Sequence, residues 1–346
     1  MLPRKRILVA QFVLLLIWHI SSQADELLPD LDYQPGQGIK INGTGWNLGG
    51  YTSASYHNDQ NNPGYLGADD ISLFLRWEGE GKFRFFSEWD LEKALEYEDD
   101  RGITSKDAYL ALERFYGDYL YSDKLNFRAG KFLTPIGRWN IIHAPPLVWT
   151  TSRPMITERM FPTNATGAMA YGTLPLLNKE IDYSIYTSLG RDLRPDPKLD
   201  PFQEAFGFHL NVPFEEYGEV GLSYVNFEQK GEIGERKNLL GLDYFWTQNR
   251  YELTAEMAYR FSDEGHQLDE KGLFIQGVAP LSERWYAIGR YEAFDRDGVQ
   301  PTVNLWLAGV ACRLSPAVIL KAEYSHAFDN QIRTPEGFFT SFAILF

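Results

Sequence analysis

Hydrophobic and polar residues alternate with a period of two along most of this chain. The segment RYELTAEMAYRF at 250–261 is the clearest case: its apolar residues occupy one parity, while Glu252, Glu256 and Arg260 occupy the other. Successive side chains of a β-strand point to opposite faces, so this period predicts strands with one apolar and one polar face. The same pattern recurs at 71–77, 180–189 and 317–328. The chain is therefore predicted to be all-β.

The number and spacing of these segments indicate a barrel. Strands are predicted at 39–56, 69–78, 81–90, 107–119, 124–133, 166–173, 180–189, 205–212, 217–228, 237–246, 250–261, 271–278, 283–294, 303–313, 316–328 and 337–346. Short links follow the even-numbered strands, and longer links such as 57–68, 91–106 and 191–204 follow odd-numbered ones. Bacterial outer-membrane barrels have an even strand number, short periplasmic turns and long extracellular loops. We therefore predict a transmembrane antiparallel β-barrel of about 16 strands.

The first residues have the features of an export signal. Arg4, Lys5 and Arg6 precede an apolar run at 7–20, and a small-x-small site ends at Ala24. This pattern predicts a cleaved signal peptide at 1–24. A retained anchor is the alternative, but the run is shorter than the ~20 residues of a spanning helix. A periplasmic tail at 25–38 and a barrel at 39–346 would follow, which places the protein in the bacterial outer membrane.

The composition narrows the class of protein further. The formal net charge of −14 argues against nucleic-acid binding, which depends on basic patches. A single cysteine excludes an internal disulfide. Aromatic residues reach 15% while the mean hydropathy is only −0.33, as expected where polar lumen residues alternate with lipid-facing ones. A soluble β-sandwich is the alternative, although it would leave many Trp and Tyr side chains uncovered.

The chain ends on the strand-like segment GFFTSFAILF, in which Phe342, Ile344 and Phe346 share one apolar stripe. With this segment and the fifteen others, the sequence resembles bacterial outer-membrane porins over nearly the whole mature chain. The resemblance implies a passive diffusion channel for small hydrophilic solutes or ions. It also implies a homotrimer surrounded by outer-membrane lipid and lipopolysaccharide. In that family the barrel-assembly machinery recognises a terminal strand that ends in Phe, a role that Phe346, Ile344 and Phe342 would have here.

The longest predicted connection, 134–166, is rich in apolar residues and carries Arg138, Arg153 and Arg159 against Glu158 alone. Long loops without regular structure are usually functional, and so apolar a loop is predicted to fold into the barrel lumen as the third extracellular loop. In porins this loop narrows the channel.

We predict a constriction in which the charged loop residues face the barrel wall. Its members are Arg138, Arg153, Arg159 and Glu158 from the loop and Arg84, Arg128 and Glu88 from the wall. Opposite charges facing each other across a narrow pore would orient passing solutes. The alternative is that the arginines only anchor the loop to wall carboxylates, and both roles can hold together.

A second resemblance and two alternative functions also bear on the function of the protein. The segment RAGKFLTPIGR at 128–138 resembles phosphate-selective (O/P-type) porins, but the dense basic ladder of those channels is absent, so phosphate selectivity is not expected. No histidine spacing suits a metal and no nucleophile elbow occurs, so no cofactor or metal is predicted. A barrel hydrolase of lipid or peptide, with His326 and Asp329 as its nearest pair, and a non-conducting structural barrel remain as alternative functions.

Overall fold

β-Strands make up most of the chain. The computed structural model describes residues 31–59, 64–98, 102–105, 107–176, 178–190, 192–194, 200–263, 265 and 268–346. Within these ranges, no helix has both the length and the apolar character that a membrane span requires.

The strands run in chain order with two short helices between them. They are β1 (Leu31–Gln34), β2 (Gly38–Ile41), β3 (Trp46–Asp59), β4 (Tyr65–Glu78), β5 (Phe83–Glu98), β6 (Gly102–Thr104), β7 (Tyr109–Ser122), β8 (Leu125–Leu133), β9 (Asn164–Leu176), β10 (Lys179–Leu189), β11 (Phe202–Phe214), β12 (Gly218–Gln229), β13 (Lys237–Gln248), β14 (Tyr251–Ser262), β15 (Glu270–Pro280), β16 (Trp285–Arg296), β17 (Val299–Ser315), β18 (Val318–Phe328) and β19 (Gly337–Leu345). The helices α1 (Trp139–Ile142) and α2 (Met155–Arg159) both lie between β8 and β9.

Sixteen of these strands close into one antiparallel barrel. Strands β3, β4, β5 and β7 to β19 each pair with their neighbours in the sequence, and β19 returns to pair with β3. At this seam Ser341 lies opposite Ser55 and Leu345 lies opposite Tyr51. Among the described strands the closed sheet leaves no unpaired barrel edge, and it confirms the predicted antiparallel barrel of 16 strands.

The first predicted strand, 39–56, is divided in the structure. Strand β2 ends at Ile41, the turn Asn42–Gly45 follows, and the barrel strand β3 begins at Trp46. Gly43 and Gly45 have φ values of +73° and +77°, and a Cβ on Gly45 would lie 2.5 Å from the carbonyl oxygen of Glu78. Two glycines thus form a turn inside an alternating segment. Strands β1 and β2 make a small hairpin beside β3, within and after the predicted tail 25–38.

Most connections are longer at one end of the barrel than at the other, as predicted, although residues 297–298 form a short connection at the longer end. One end, which we call the turn end, carries the short connections 79–82, 123–124, 177–178, 215–217, 249–250, 281–284 and 316–317. The other end, the loop end, carries the longest connection, residues 134–163 between β8 and β9.

The two parities of each strand face different surroundings. On β14, Thr254, Glu256 and Arg260 are buried, whereas Met257 and Tyr259 are exposed. Charged side chains such as Glu256 would be costly to bury among apolar groups alone, so their burial points to polar partners inside the barrel. Large apolar side chains cover the outer face, in agreement with the predicted alternation.

The apolar core lies between the inner wall and the connection 134–163. Ile136, Met155, Ile156 and Met160 of the connection are buried and belong to one apolar cluster with wall residues Phe132, Phe274 and Phe294. Helix α2 lies against β15 and β16, and Gly272 permits this approach because a Cβ there would lie 2.5 Å from Ile156 Cγ2. Each buried side chain of this size contributes roughly 1.5–3 kcal/mol.

Candidate functional site

Glu256 of β14 binds the start of the connection 134–163. Its Oε1 accepts hydrogen bonds from the backbone N–H groups of Arg138 at 3.0 Å and Trp139 at 2.6 Å. Gly137 makes the turn before them with a φ of +63°, and a Cβ there would lie 2.2 Å from Glu256 Oε2. A buried carboxylate needs donors in place of water, and here the backbone of the connection supplies them. The carboxylate and the connection therefore hold each other in place.

Two more wall carboxylates bind backbone amides farther along the connection. Glu323 of β18 accepts from the N–H groups of Thr151 and Ser152, both at 2.8 Å. Glu292 of β16 accepts from Met155 N–H at 2.7 Å, at the first residue of α2. These bonds reach strands far around the barrel from β8 and β9, so the connection contacts the opposite inner wall.

Wall cations bind carbonyl groups of the same connection. Lys321 Nζ donates to the carbonyl oxygens of Pro145 at 2.7 Å and Thr150 at 3.1 Å. Arg290 donates to Thr150 Oγ1 at 2.9 Å and to the Ser152 carbonyl at 3.0 Å. Wall side chains of both charges thus pair with the backbone of the connection. Loop composition alone does not reveal this anchoring, because most of its loop partners are backbone groups.

The three loop arginines have different surroundings, and Arg138 is the one that pairs with the wall. Its Nη1 lies 3.1 Å from Glu219 Oε2, and its guanidinium lies 3.5 Å from the centre of the Phe245 ring. Stacking on the ring and pairing with the carboxylate both restrict the side chain. The anchoring role that the sequence left open therefore fits Arg138.

Arg153 instead faces an open space within the barrel. Its Nε and Nη2 are buried and have no hydrogen-bond partner among the residues that the structure describes. Its guanidinium lies 5.0 Å from the Trp139 ring. Burial lowers the pKa of Arg153, and the charges of Glu113 and Glu158 oppose that shift. An arginine stays charged at any working pH, so Arg153 presents a positive charge to this space.

We call this space the acidic chamber. It is a cavity of about 570 Å³ between the connection and strands β3, β4, β5, β7, β18 and β19. Its charged lining consists of Asp69, Asp70, Asp90, Glu92, Glu113 and Glu158 with Arg153 and Lys321. An adjoining cavity of about 430 Å³ shares Arg153, Glu158 and several of these carboxylates and reaches Asp59 and Thr334 near the loop end. Glu158, predicted for the constriction, therefore lies with Arg153.

Arg159 faces a different cavity, of about 290 Å³, on the β13–β16 side. Its neighbours there are mostly paired: Arg260 lies 2.8 Å and Arg296 lies 3.3 Å from oxygens of Glu270. Helix α2 thus ends on a separate group of charges, and the structure does not bring Arg159 beside Arg153.

The three predicted wall residues are also dispersed. Glu88 is buried, pairs with Arg114 and accepts from Ser72 at 3.1 Å. Arg128 makes two hydrogen bonds to Asp118, at 2.7 and 2.9 Å. Arg84 donates to the carbonyl groups of Gly79 at 3.0 Å and Gly81 at 2.6 Å, at the turn end.

These positions place Arg84 and Arg128 away from the loop arginines. Arg128 lines a third cavity, of about 360 Å³, with Arg114, Tyr116 and Tyr171. Inward parity was predicted for all three wall residues, but a parity pattern does not give depth along the barrel. Arg84 lies at the turn end, Arg128 lines this third cavity and Glu88 pairs with Arg114, so none of the three lines the acidic chamber.

His143 of the connection was not predicted as a site residue, because a lone histidine in a loop gives no signal in the sequence. Its Nδ1–H donates to the Asn140 carbonyl at 2.7 Å, and its Nε2 lies 3.6 Å from Glu113 Oε1. Burial, and then the charge of Arg153, lowers the pKa of His143 to about 3. His143 is therefore a neutral member of the chamber lining.

The pair suggested for a hydrolase is not formed. His326 Nδ1 lies 2.9 Å from Glu336 Oε2, and its ring packs on Phe328 with centroids 4.7 Å apart. The side chain is 52% exposed and lies on the parity of the outward-facing Tyr324. Glu336, rather than Asp329, is thus its carboxylate partner, on the outer face.

The chain terminus completes the barrel seam. The N–H of Phe346 donates to the Gly50 carbonyl at 2.8 Å, and the Phe346 carbonyl accepts from Gly50 N–H at 2.9 Å. Phe342 and Ile344 pair with Ala54 and Thr52 of β3 on the same parity. The predicted apolar stripe is therefore on the outer face, and Phe346 extends the pairing of β19 with β3.

A closed barrel of sixteen antiparallel strands, with charged residues inside and a long connection after its fifth strand bonded to the inner wall, is the fold of bacterial outer-membrane porins. No protein-family model matches the chain. A protein of Aquifex aeolicus described as uncharacterized is 30% identical over 150 residues, which are 42% of this chain. The matched part spans about a third, 32%, of that relative.

Solved structures agree with the fold. An anion-selective porin from Comamonas acidovorans is 12% identical with a TM-score of 0.59, covering 87% of this chain and 98% of its own. The outer-membrane channel DcaP of Acinetobacter baumannii is 12% identical with a TM-score of 0.60, covering 90% and 100%. The trimer form of OmpT, an outer membrane protein of Vibrio cholerae, is 10% identical with a TM-score of 0.57, covering 87% and 99%. At these identities the likeness shows the fold alone.

Proposed function

We propose that this protein is an outer-membrane porin, a passive diffusion channel for small hydrophilic solutes or ions. The acidic chamber is the observation that carries the proposal. It is a space inside a closed barrel, lined by eight acidic or basic residues and extended toward the loop end by a second cavity. The wall bonds to both N–H and C=O groups of the connection 134–163, which would keep this passage narrow and stable. Charged walls at close quarters favour hydrated solutes over apolar ones.

The purified protein in a planar bilayer should give discrete conductance steps. A test of the route uses two neighbouring positions, Ser53→Cys and Ala54→Cys, in a Cys312→Ser background. Ser53 lines the acidic chamber, whereas Ala54 lies on the outer parity opposite Phe342. A charged thiol reagent should change the current through the first variant and leave the second unchanged. Absence of steps, or equal responses of the two variants, would contradict the proposal.

We further propose that the mature protein begins after Ala24 and resides in the bacterial outer membrane, surrounded by lipid and lipopolysaccharide. Residues 1–24 lie outside the described part of the chain. Exposed Leu242, Met257, Tyr259 and Trp306 on the outer face support contact with lipid. Phe346, together with Phe342 and Ile344, would present the signal for the barrel-assembly machinery.

A homotrimer is the assembly that we propose. On the outer face, Ala129, Ala168 and Ala170 form the floor of a cavity of about 580 Å³ bordered by large apolar side chains. Those side chains are Phe83, Phe127, Ile185 and Phe206, each exposed in the single chain. Small residues allow close approach of a second wall, and the trimer form of the Vibrio cholerae protein supports the same assembly.

A further inference from the structure

One basic and one acidic side chain at the acidic chamber have buried hydrogen-bonding atoms without a partner among the described residues. Arg153 has Nε and Nη2 without a partner among the described residues, and Asp90 has Oδ1 without one. Asp90 is 6% exposed, and among the residues that the structure describes its other oxygen receives only a long bond, at 3.5 Å, from Tyr51. Both residues line the chamber. Buried polar atoms are nearly always paired, so free atoms of both signs indicate a ligand that supplies partners to both.

The free atoms specify the chemistry of that ligand. A guanidinium whose Nε and Nη2 nitrogens both lack a partner matches a carboxylate, which it can bind through both oxygens. A free carboxylate oxygen matches a donor, and an ammonium group brings three donors with a positive charge. A solute with both groups would satisfy Arg153 and Asp90 together.

The charge of the chamber favours the ammonium group. Six acidic side chains line it against two basic ones, and one of the basic ones, Lys321, already donates to the carbonyl groups of Pro145 and Thr150. A solute with only negative charge would be attracted by Arg153 and repelled by the remaining wall. A solute without a carboxylate would leave Arg153 unpaired. A solute that carries only one of the two charges therefore leaves Arg153 or Asp90 without a partner.

The size of the chamber sets the range of solutes. Its volume of about 570 Å³ lies within the roughly 300–1,000 Å³ of small-molecule sites. Ser53, Ser55, Thr151 and Ser341 add hydroxyl groups to its lining, and these can bind a peptide group. An amino acid or a short peptide fits these dimensions and polar groups.

We propose that the acidic chamber is a binding subsite for small amino-carboxylates, meaning free amino acids and short peptides. Arg153 binds the carboxylate and Asp90 binds the ammonium group. This inference deepens the proposed channel function by naming the class of solute that pauses in the passage. Binding does not depend on conduction, so the two can be tested separately.

The test uses three matched solutes on the full protein purified in detergent, with binding followed by ligand-observed NMR. Glycylglycine carries both charges, glycylglycinamide lacks the carboxylate, and N-acetylglycylglycine lacks the ammonium group. Glycylglycine should bind at least about tenfold more tightly than either analogue, since each lost charged contact is worth about that factor.

Two variants and a matched control complete the test. Arg153→Gln and Asp90→Asn should each weaken glycylglycine binding about tenfold. Arg250→Gln, which removes an arginine bonded to Ser282 and Glu283 at the turn end, should leave it unchanged. Equal binding of the three solutes, no binding of glycylglycine, or equal effects of Arg153→Gln and Arg250→Gln would overturn the inference. A protein that conducts ions without binding glycylglycine would refute the subsite and leave the channel proposal intact.

Discussion

Glu256 accepts a hydrogen bond of 2.6 Å from the backbone N–H of Trp139, although 117 residues separate the two in the sequence. This bond joins β14 to the connection that leaves β8, on another part of the barrel wall. Glu323 and Glu292 accept similar bonds from backbone N–H groups of the connection 134–163. The fold of the connection therefore depends on wall carboxylates.

Removing Glu256 should release the start of the connection. Glu256→Ala leaves two backbone donors without their acceptor and should cost about 1–3 kcal/mol of stability. Single-channel recordings should then show a larger and noisier conductance, because residues near Trp139 gain freedom. Glu256→Gln keeps an acceptor oxygen and should lie closer to the wild type.

The control for this prediction is Glu283→Ala, an exposed carboxylate at the turn end. Its conductance and thermal stability should match the wild type. If Glu256→Ala behaves in the same way, the carboxylate does not hold the connection.

Arg138 and Arg153 together should set the ion preference of the proposed channel. The double alanine variant should shift the reversal potential in a salt gradient toward cation preference. The single variants should differ, because Arg138 is paired with Glu219 whereas Arg153 has free donors. Arg153→Ala alone should produce most of the shift. A double variant with wild-type selectivity would show that both arginines have only structural roles.

His143 should make the protein less stable in acid. Its pKa in the folded state is lowered to about 3, below the ordinary 6.5, so the unfolded chain takes up a proton that the folded chain excludes. The contribution of neutral His143 to the free energy of unfolding is therefore fully present above pH 6.5 and is lost as the pH falls toward about 3. At about pH 5 the loss should reach about 2 kcal/mol at most.

The measurement compares thermal unfolding of wild type and His143→Gln at about pH 7 and about pH 5. Between these two pH values, His143→Gln should lose less stability than the wild type does. His326→Gln, at a half-exposed histidine, is the matched control. Equal acid sensitivity of wild type and His143→Gln would contradict the prediction.

Ala168 should lie in the contact between subunits of the proposed trimer. Ala168→Trp fills the shallow groove on the outer face and should shift the protein from trimer to monomer in sedimentation velocity. Ala255→Trp, at an outward position of β14, is the control and should leave the trimer intact. A trimer that survives Ala168→Trp would place the interface on another face.

Phe346 should be required for efficient barrel closure. A Cβ on Gly50 would lie 3.0 Å from the Phe346 ring, so the ring packs directly over the backbone of β3. Phe346→Ala should reduce the yield of heat-modifiable, folded barrel in cells, while Phe328→Ala, an outward aromatic elsewhere, should reduce it less. The same loss in both variants would mean that any outer aromatic matters equally.

The period of two in segments such as 250–261 was sufficient to predict the strands, the closed barrel and the inward parity of residues such as Glu88 and Glu256. The alternation assigns each side chain to one of the two faces of its strand. Closure into a barrel follows because all sixteen strands must bury one of their faces. The apolar character of the predicted connection 134–166 likewise predicted burial. The turn at Asn42–Gly45 escaped the pattern because its glycines lie between two alternating stretches.

Only the tertiary structure decided which charges meet. Parity states that Arg84, Arg128 and Glu88 point inward, but depth along the barrel and position around it depend on strand stagger and closure. The connection 134–163 contacts Glu256, Glu292 and Glu323 through backbone N–H groups, which every non-proline residue carries and no sequence pattern distinguishes. The free atoms of Arg153 and Asp90 share one chamber because the connection approaches the β3–β7 wall, a contact set by packing across the barrel.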